Sequence, residues 1–302
     1  MKKEMAVRRS PCKVDIVDPV LGVEPLRYPW KTIDPFLVCG HHHDAYPPGN
    51  ATLEPEPSIG RAPAHDAEGR GGWRMYHGGT VPGFPVDPHS GFETITIVRC
   101  GFVDHSDSMG ATARYGEGDV QWLTAGRGIA HSEMFPLLRR DRGNPLEFFQ
   151  IWLNLPAERK LVAPRFSMLW KQDIPRHAHV DANGRLTQID IIAGKLAGAK
   201  APAPPPDSWA ARPENDVAIW VVRMEADATF KLPPTQPGTN RTLYLHAGGS
   251  LLIGGWHLPR HHRITLHPDM SATLRATGSA VSFLLLQGRP IAEPIVQQVR
   301  SS

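Results

Sequence analysis

The chain has 302 residues, 41 % of them hydrophobic and 21 % charged, enough to bury a core and sized for two ordinary domains or one large β domain. The net charge of +3 comes from mixed basic and acidic residues, and the densest basic cluster, Arg139-Arg140-Asp141-Arg142, is broken by an acid. That leaves no basic stripe for specific nucleic-acid binding. Apolar runs such as Phe283–Leu286 fall far short of the ~20 residues a membrane helix needs. No membrane partner is therefore expected, and no secretory signal is visible behind Met1-Lys2-Lys3. Three cysteines, Cys12, Cys39 and Cys100, are odd in number and far apart, which excludes a disulfide framework or a CxxC site and makes a reducing, cytoplasmic setting the default.

Glycine (28) and proline (30) are scattered along the chain and break it into short elements, a pattern that suits an all-β fold. Pro47 to Gly72 reads as a loop, a lid or an edge cover. Thr94–Arg99 is the clearest strand, β-branched with period-two alternation. Tyr115–Asp119 is a Gly-rich turn, and strands follow over Phe148–Asn154 and Gln188–Ile192. From Gly198 to Asn215 the composition shifts, and Ala201-Pro202-Ala203-Pro204-Pro205-Pro206 lacks the donors a sheet needs. Beyond it come strands over Val217–Arg223 and Ser279–Leu286, with Gly-rich turns at 247–249 and 253–255. The expected architecture is two tandem β-barrels: residues 1–197, a Pro-rich linker or loop at 198–215, and residues 216–302.

Two couples of candidate ligands stand at i and i+2: Asp87/His89 and His131/Glu133. Residues two apart in extended backbone point to one side, so two such couples on facing strands of a barrel converge on one point. Imidazole with carboxylate and no thiolate favours Fe(II), Mn, Ni, Cu or Zn in an open site over a closed structural zinc. On spacing alone the signal is weak, because an H-x-E pair arises often by chance, and the same histidines read as surface or hydrogen-bonded core residues. His41-His42-His43 cannot turn three consecutive side chains to one ion from a strand, and suggests adventitious surface binding at most. In the back half, His246, His257, His261, His262 and His267 have no carboxylate at i+2. His105 has local hydrogen-bond partners in Asp104, Ser106 and Asp107 and reads as a turn histidine or a residue just behind the ligands. Trp122 and Trp152 read as core aromatics before substrate platforms.

From about Met75 to Pro175 the chain resembles the N-terminal barrel of the pirin family, a bicupin branch of the cupin superfamily. The resemblance rests on His89-Ser90-Gly91-Phe92-Glu93-Thr94, on 103–108, on Gly118 to Gly128 running into His131-Ser132-Glu133-Met134, and on Leu146–Leu155. Asp34-Pro35-Phe36 and 284–294 extend it over nearly the whole chain. The resemblance implies the metal ligands Asp87, His89, His131 and Glu133, holding one divalent transition metal, Fe(II) first, with Mn, Ni, Cu or Zn as alternatives. It implies no metal in the C-terminal barrel and no ligand role for Glu93, which is expected to be a hydrogen-bonded strand residue. Two positions depart from the family's H-P-H-R-G-F-E run: Asp87 replaces histidine and Ser90 replaces arginine. Aspartate is shorter than imidazole and reaches the ion directly, through water, or not at all. The chain also ends at Gln297–Ser302, where relatives continue back toward the first barrel, so weaker contact between the barrels is expected.

The activity implied is quercetin 2,3-dioxygenase. A small aromatic, flavonol-like substrate would lose its 3-hydroxyl proton to Glu133, and dioxygen would open the ring with release of carbon monoxide. Phe92 and Trp122 would at most wall the pocket. The alternative is a non-enzymatic metal- or redox-sensing regulatory protein that acts on a protein partner.

Overall fold

The computed structural model describes residues 7–9, 18–56 and 72–294. Most of the 47–72 loop zone and the terminal Gln297–Ser302 run therefore lie outside the described residues. Within them the chain is β-strand with short 3-10 turns, and no helix is long and apolar enough to cross a membrane. The expected all-β, jelly-roll class is what the strands form.

The first unit is a sandwich of two sheets. One sheet has five strands in the spatial order Arg165–Leu169, Val120–Thr124, Phe92–Cys100, Asn144–Asn154, Phe36–Tyr46. The other has four, Gly83–His89, Ile129–Met134, Phe102–Asp107, Thr112–Gly116. Alternation along each strand sorts its side chains between two destinations. In Phe92–Cys100, Thr96 and Val98 face the sandwich interior, while Ile95 and Ile97 face the second unit. Asn144–Asn154 divides likewise: Phe148 packs inside and Phe149, Ile151 and Leu153 pack outward.

The second unit is built on a ten-stranded antiparallel sheet containing the long strands Asn240–Ile253 and Ala272–Gly288. Here the strand pairing departs from the expected 1–197 division. Arg176–Val180 and Leu186–Ala193 pair with each other and then with Ala218–Met224, and Val20–Pro25 pairs with His262–Leu266. Ile189 and Ile191 are fully buried in the same core as Phe283 and Leu285, and that burial decides which sheet the strand joins. The Pro-rich stretch is thus a crossing within the second unit. Its end is pinned back on the first, because Ser208 Oγ donates to Glu93 Oε2 at 2.5 Å and Arg159 Nη1 to Asp207 Oδ1 at 2.7 Å.

The two units share an apolar core. Trp30, Ile95, Phe149 and Ile151 pack with Ile219, Tyr244 and Leu284, and the Trp30 and Tyr244 rings stack at 5.5 Å, 4° from parallel.

Candidate metal centre

The turn Gly126-Arg127-Gly128 delivers the strand that carries His131. Gly126 has φ +50°, and a Cβ there would lie 2.2 Å from the Val162 carbonyl oxygen, so no larger residue fits the turn as built. Beyond it, Ile129–Met134 alternates strictly, with Ile129, His131 and Glu133 buried and Ala130, Ser132 and Met134 half-exposed. The partner strand Gly83–His89 runs antiparallel with Asp87 opposite His131, His89 opposite Ile129 and Phe84 opposite Glu133. The two ligand couples therefore lie on adjacent, hydrogen-bonded strands of one sheet, where facing strands were expected. An irregularity between Phe84 and Asp87 re-aims the far end of the first strand.

Asp87, His89 and His131 come together, with one donor atom from each within 4.8 Å of the others. His89 Nε2 lies 3.4 Å from Asp87 Oδ2, and the His89 and His131 ring centroids are 4.9 Å apart. His89 is 5 % and His131 3 % exposed, whereas the Asp87 side chain keeps 44 % of its surface open at the mouth. His89 Nε2 and His131 Nδ1 are buried with no hydrogen-bond partner among the described residues. A buried imidazole nitrogen without a partner costs about 1–3 kcal/mol, and a cation between the two rings would remove that cost. Burial, reinforced by the neighbouring His131, pushes the His89 imidazole down to about 3, so it is a neutral electron-pair donor at any physiological pH. Burial raises the Asp87 carboxyl, with Glu133 adding to the shift and His131 opposing it. The donor set thus fits one divalent transition ion.

Glu133 is held differently. Its Oε1 accepts from Thr96 Oγ1 at 2.8 Å and Tyr115 Oη at 3.0 Å, and its Oε2 accepts from Gln150 Nε2 at 2.5 Å. Three neutral donors fix a buried carboxylate that has about four lone-pair positions, leaving one on Oε2. His105 lies behind the ligands. Its Nε2 meets Asp107 Oδ2 at 3.0 Å, its Nδ1 meets Gln121 Nε2 at 2.6 Å, and its ring sits 5.4 Å from that of His131.

Phe92 and Trp152 form the aromatic wall, stacked on each other at 4.6 Å and lying 5.1 and 5.3 Å from the His89 ring. Trp122 is on the opposite face, fully buried between the units, and lines no part of the site. Trp152, which the sequence alone makes a core aromatic, lies beside His89, on the same face of its strand as Gln150, which reaches Glu133. Glu93 points away from the side of its strand that faces the cluster and accepts from Thr124 Oγ1 at 2.7 Å and from Ser208. A cleft of about 360 Å³ lined by Pro88, His89, Ser90, Ser108, Gly128, Ile129 and Ala130 lies beside the cluster.

Two tandem jelly-roll units, the first enclosing a His/His/carboxylate cluster, define a bicupin. Residues 68–153 match the Pirin family model and residues 219–299 the Pirin C-terminal cupin domain. The chain belongs to the pirin family. It is 36 % identical over 211 residues to a Pseudomonas aeruginosa protein named "Putative quercetin 2,3-dioxygenase PA2418", covering 69 % of this chain and 68 % of that one. Pirin-1 of Arabidopsis thaliana is 34 % identical over 228 residues, 71 % of this chain and 70 % of that one. In fold it is similar to a quercetin 2,3-dioxygenase from Acinetobacter baumannii, with a TM-score of 0.69 at 22 % identity over 93 % of this chain and 90 % of that one. It is also similar to the bacterial pirin YhhW from Escherichia coli in complex with nickel(II), with a TM-score of 0.51 at 17 % identity over 85 % and 83 %.

Proposed function

We propose that this chain is a metal-dependent dioxygenase of the quercetin 2,3-dioxygenase type, with His89, His131 and Asp87 holding one divalent ion, Fe(II) first, and the free lone pair of Glu133 Oε2 kept as the base. The observation that carries the reading is the pair of buried imidazole nitrogens without partners, facing a carboxylate beside an aromatic wall. Such an ion supplies a Lewis acid that acidifies a flavonol 3-hydroxyl and the one-electron chemistry that dioxygen requires. The chain's own residues do the rest. Trp152 and Phe92, stacked on each other beside the His89 ring, supply the aromatic surface nearest the cluster for a planar aromatic substrate. Glu133 Oε2 accepts the hydroxyl proton, and Thr96, Tyr115 and Gln150 hold that carboxylate in place while it does so. Ser90, where relatives carry arginine, leaves the rim of the cleft neutral and open. Names of relatives support the substrate class, and a bacterial pirin in complex with nickel(II) supports metal binding by this fold.

The test is to load the untagged protein with Fe(II), add quercetin under oxygen, and follow flavonol absorbance together with carbon monoxide in the headspace. We expect one carbon monoxide per flavonol lost. His131→Ala should remove the ion and the turnover together, and Trp152→Ala should raise KM with metal content unchanged. No flavonol loss with Fe, Mn, Ni, Cu or Zn would overturn the enzyme reading in favour of a metal-sensing regulatory protein.

A further inference from the structure

A second cluster of donors lies on the other side of the five-stranded sheet, where the first unit meets the second. In Phe36–Tyr46, His42 faces inward and stacks on Phe148 at 4.3 Å, so His41 and His43 face outward. The register sets His41 opposite Phe149 and His43 opposite Glu147, which puts His41 and Glu147 on one face, diagonal to each other. The third member, His246, comes from the second unit. It sits at the register shift between Leu245 and Ala247, where the ladder of Asn240–Ile253 leaves one residue out, and that irregularity turns its ring toward the first unit.

His41 Nε2 lies 3.2 Å and His246 Nδ1 4.0 Å from the same Glu147 oxygen, Oε1, and the two imidazole rings are 4.7 Å apart. One donor atom from each of the three residues lies within 4.8 Å of the others. The His246 side chain is 2 % exposed, and neither of its ring nitrogens has a hydrogen-bond partner among the described residues. Trp30 and Phe149 close around both histidines, with ring separations of 4.8 to 6.1 Å, and keep the apolar side of the cluster dry. His261 lies within electrostatic range of His41 and His246, and Arg99 within range of Glu147 and His246; Arg99 is the competing cation.

A plain His41–Glu147 hydrogen bond accounts for two of these residues and leaves the third unexplained. A tetrahedral zinc with bonds of about 2.0–2.1 Å spaces its donors about 3.3 Å apart. The 3.2 Å contact already has that length, and the 4.0 Å one needs only a small rotation of either side chain. We propose that His41, Glu147 and His246 form a second divalent-metal site, suited to Zn(II), that cross-links the two units and leaves a coordination position open toward solvent. It revises the expectation of one ion per chain confined to the first barrel, and it stands whether or not the protein cleaves flavonols.

The experiment uses untagged full-length protein stripped of metal. Titration with Zn(II), followed by calorimetry and elemental analysis, should reach two ions per chain. With His89→Ala and His131→Ala combined, one ion should remain, and Co(II) in its place should show the intense visible bands of a tetrahedral site. Adding His246→Ala to that background should abolish binding. Glu147→Gln, isosteric and so less disruptive to the core, should reduce the unmodified protein from two ions to one. Zinc should also raise the melting temperature of the His89/His131 variant and leave that of the triple variant unchanged. A His89/His131 variant that binds no ion, or a Glu147→Gln protein that still binds two, would overturn the proposal.

Discussion

Asp87 is the donor in the first sandwich that carries a charge to the cluster, and its side chain is the most open of the three. Replacing a neutral imidazole by a carboxylate adds one negative charge around the ion and stabilises its more oxidised state. It also favours harder ions, since oxygen donors suit hard cations. We therefore expect Asp87→His, in iron-loaded protein, to raise the reduction potential and to shift metal preference from Fe(II) and Mn(II) toward Cu and Zn. Potentiometry and competitive metal loading side by side with the parent check this. A potential and a preference that both stay put would mean that Asp87 is not a ligand. Glu133 shows a different logic at the same scale: Thr96, Tyr115 and Gln150 come from three strands to fix one carboxylate. The convergence of Asp87, His89 and His131 was legible in the sequence because i, i+2 spacing is local. The three donors to Glu133 were not, because each lies on another strand.

At the level of elements, the contact between the strand Phe92–Cys100 and the Pro-rich crossing has a pH dependence. Burial raises the Glu93 carboxyl to about 7 against hydrogen bonds from Ser208 and Thr124 that favour its ionised form. The folded chain therefore keeps a proton there up to about pH 7 that the unfolded chain releases near the ordinary value of 4.5. Between those two values the native state binds more protons, so the contribution is largest at or below pH 4.5 and is lost as pH rises through 7. A difference of that size corresponds to on the order of 3 kcal/mol. Glu93→Gln can still bond to both hydroxyls and removes the titration. We expect the variant to match the parent near pH 4.5 and to exceed its stability by up to about 3 kcal/mol at pH 8. Urea unfolding across that range is the measurement, and parallel pH profiles for the two proteins would refute the assignment. The proline run announced itself by composition, since it lacks the donors a sheet needs. Which sheet its flanking strands would join did not, because Ile189 and Ile191 find their core partners some ninety residues further on, at Phe283 and Leu285.

For the molecule as a whole, the charge of +3 without a basic stripe offers few phosphate contacts. Any affinity for DNA should be weak and should vanish by about 150 mM salt. Fluorescence anisotropy with duplexes of unrelated sequence tests this, and submicromolar, sequence-dependent binding at that salt would contradict it. The same scale explains what a linear reading passed over. Strand positions such as Thr94–Arg99 and Phe148–Asn154 followed from alternation, and they fall inside the strands Phe92–Cys100 and Asn144–Asn154. His41 and His246 stand more than two hundred positions apart and meet only through the packing of two sheets and one irregularity in a ladder.

The strand Asn144–Asn154 carries two messages on alternate letters. Its even positions, Phe148, Gln150 and Trp152, serve the interior of the first sandwich, and its odd ones, Glu147, Phe149 and Ile151, serve the seam. A single residue inserted at its centre would send each set of later side chains to the other address, so Gln150 and Trp152 would leave the first cluster and bury themselves in the seam. Two inserted residues would restore the addresses but displace them by about 7 Å along the sheet. Substitutions can tune either side separately, whereas any change in the length of this strand damages both at one stroke.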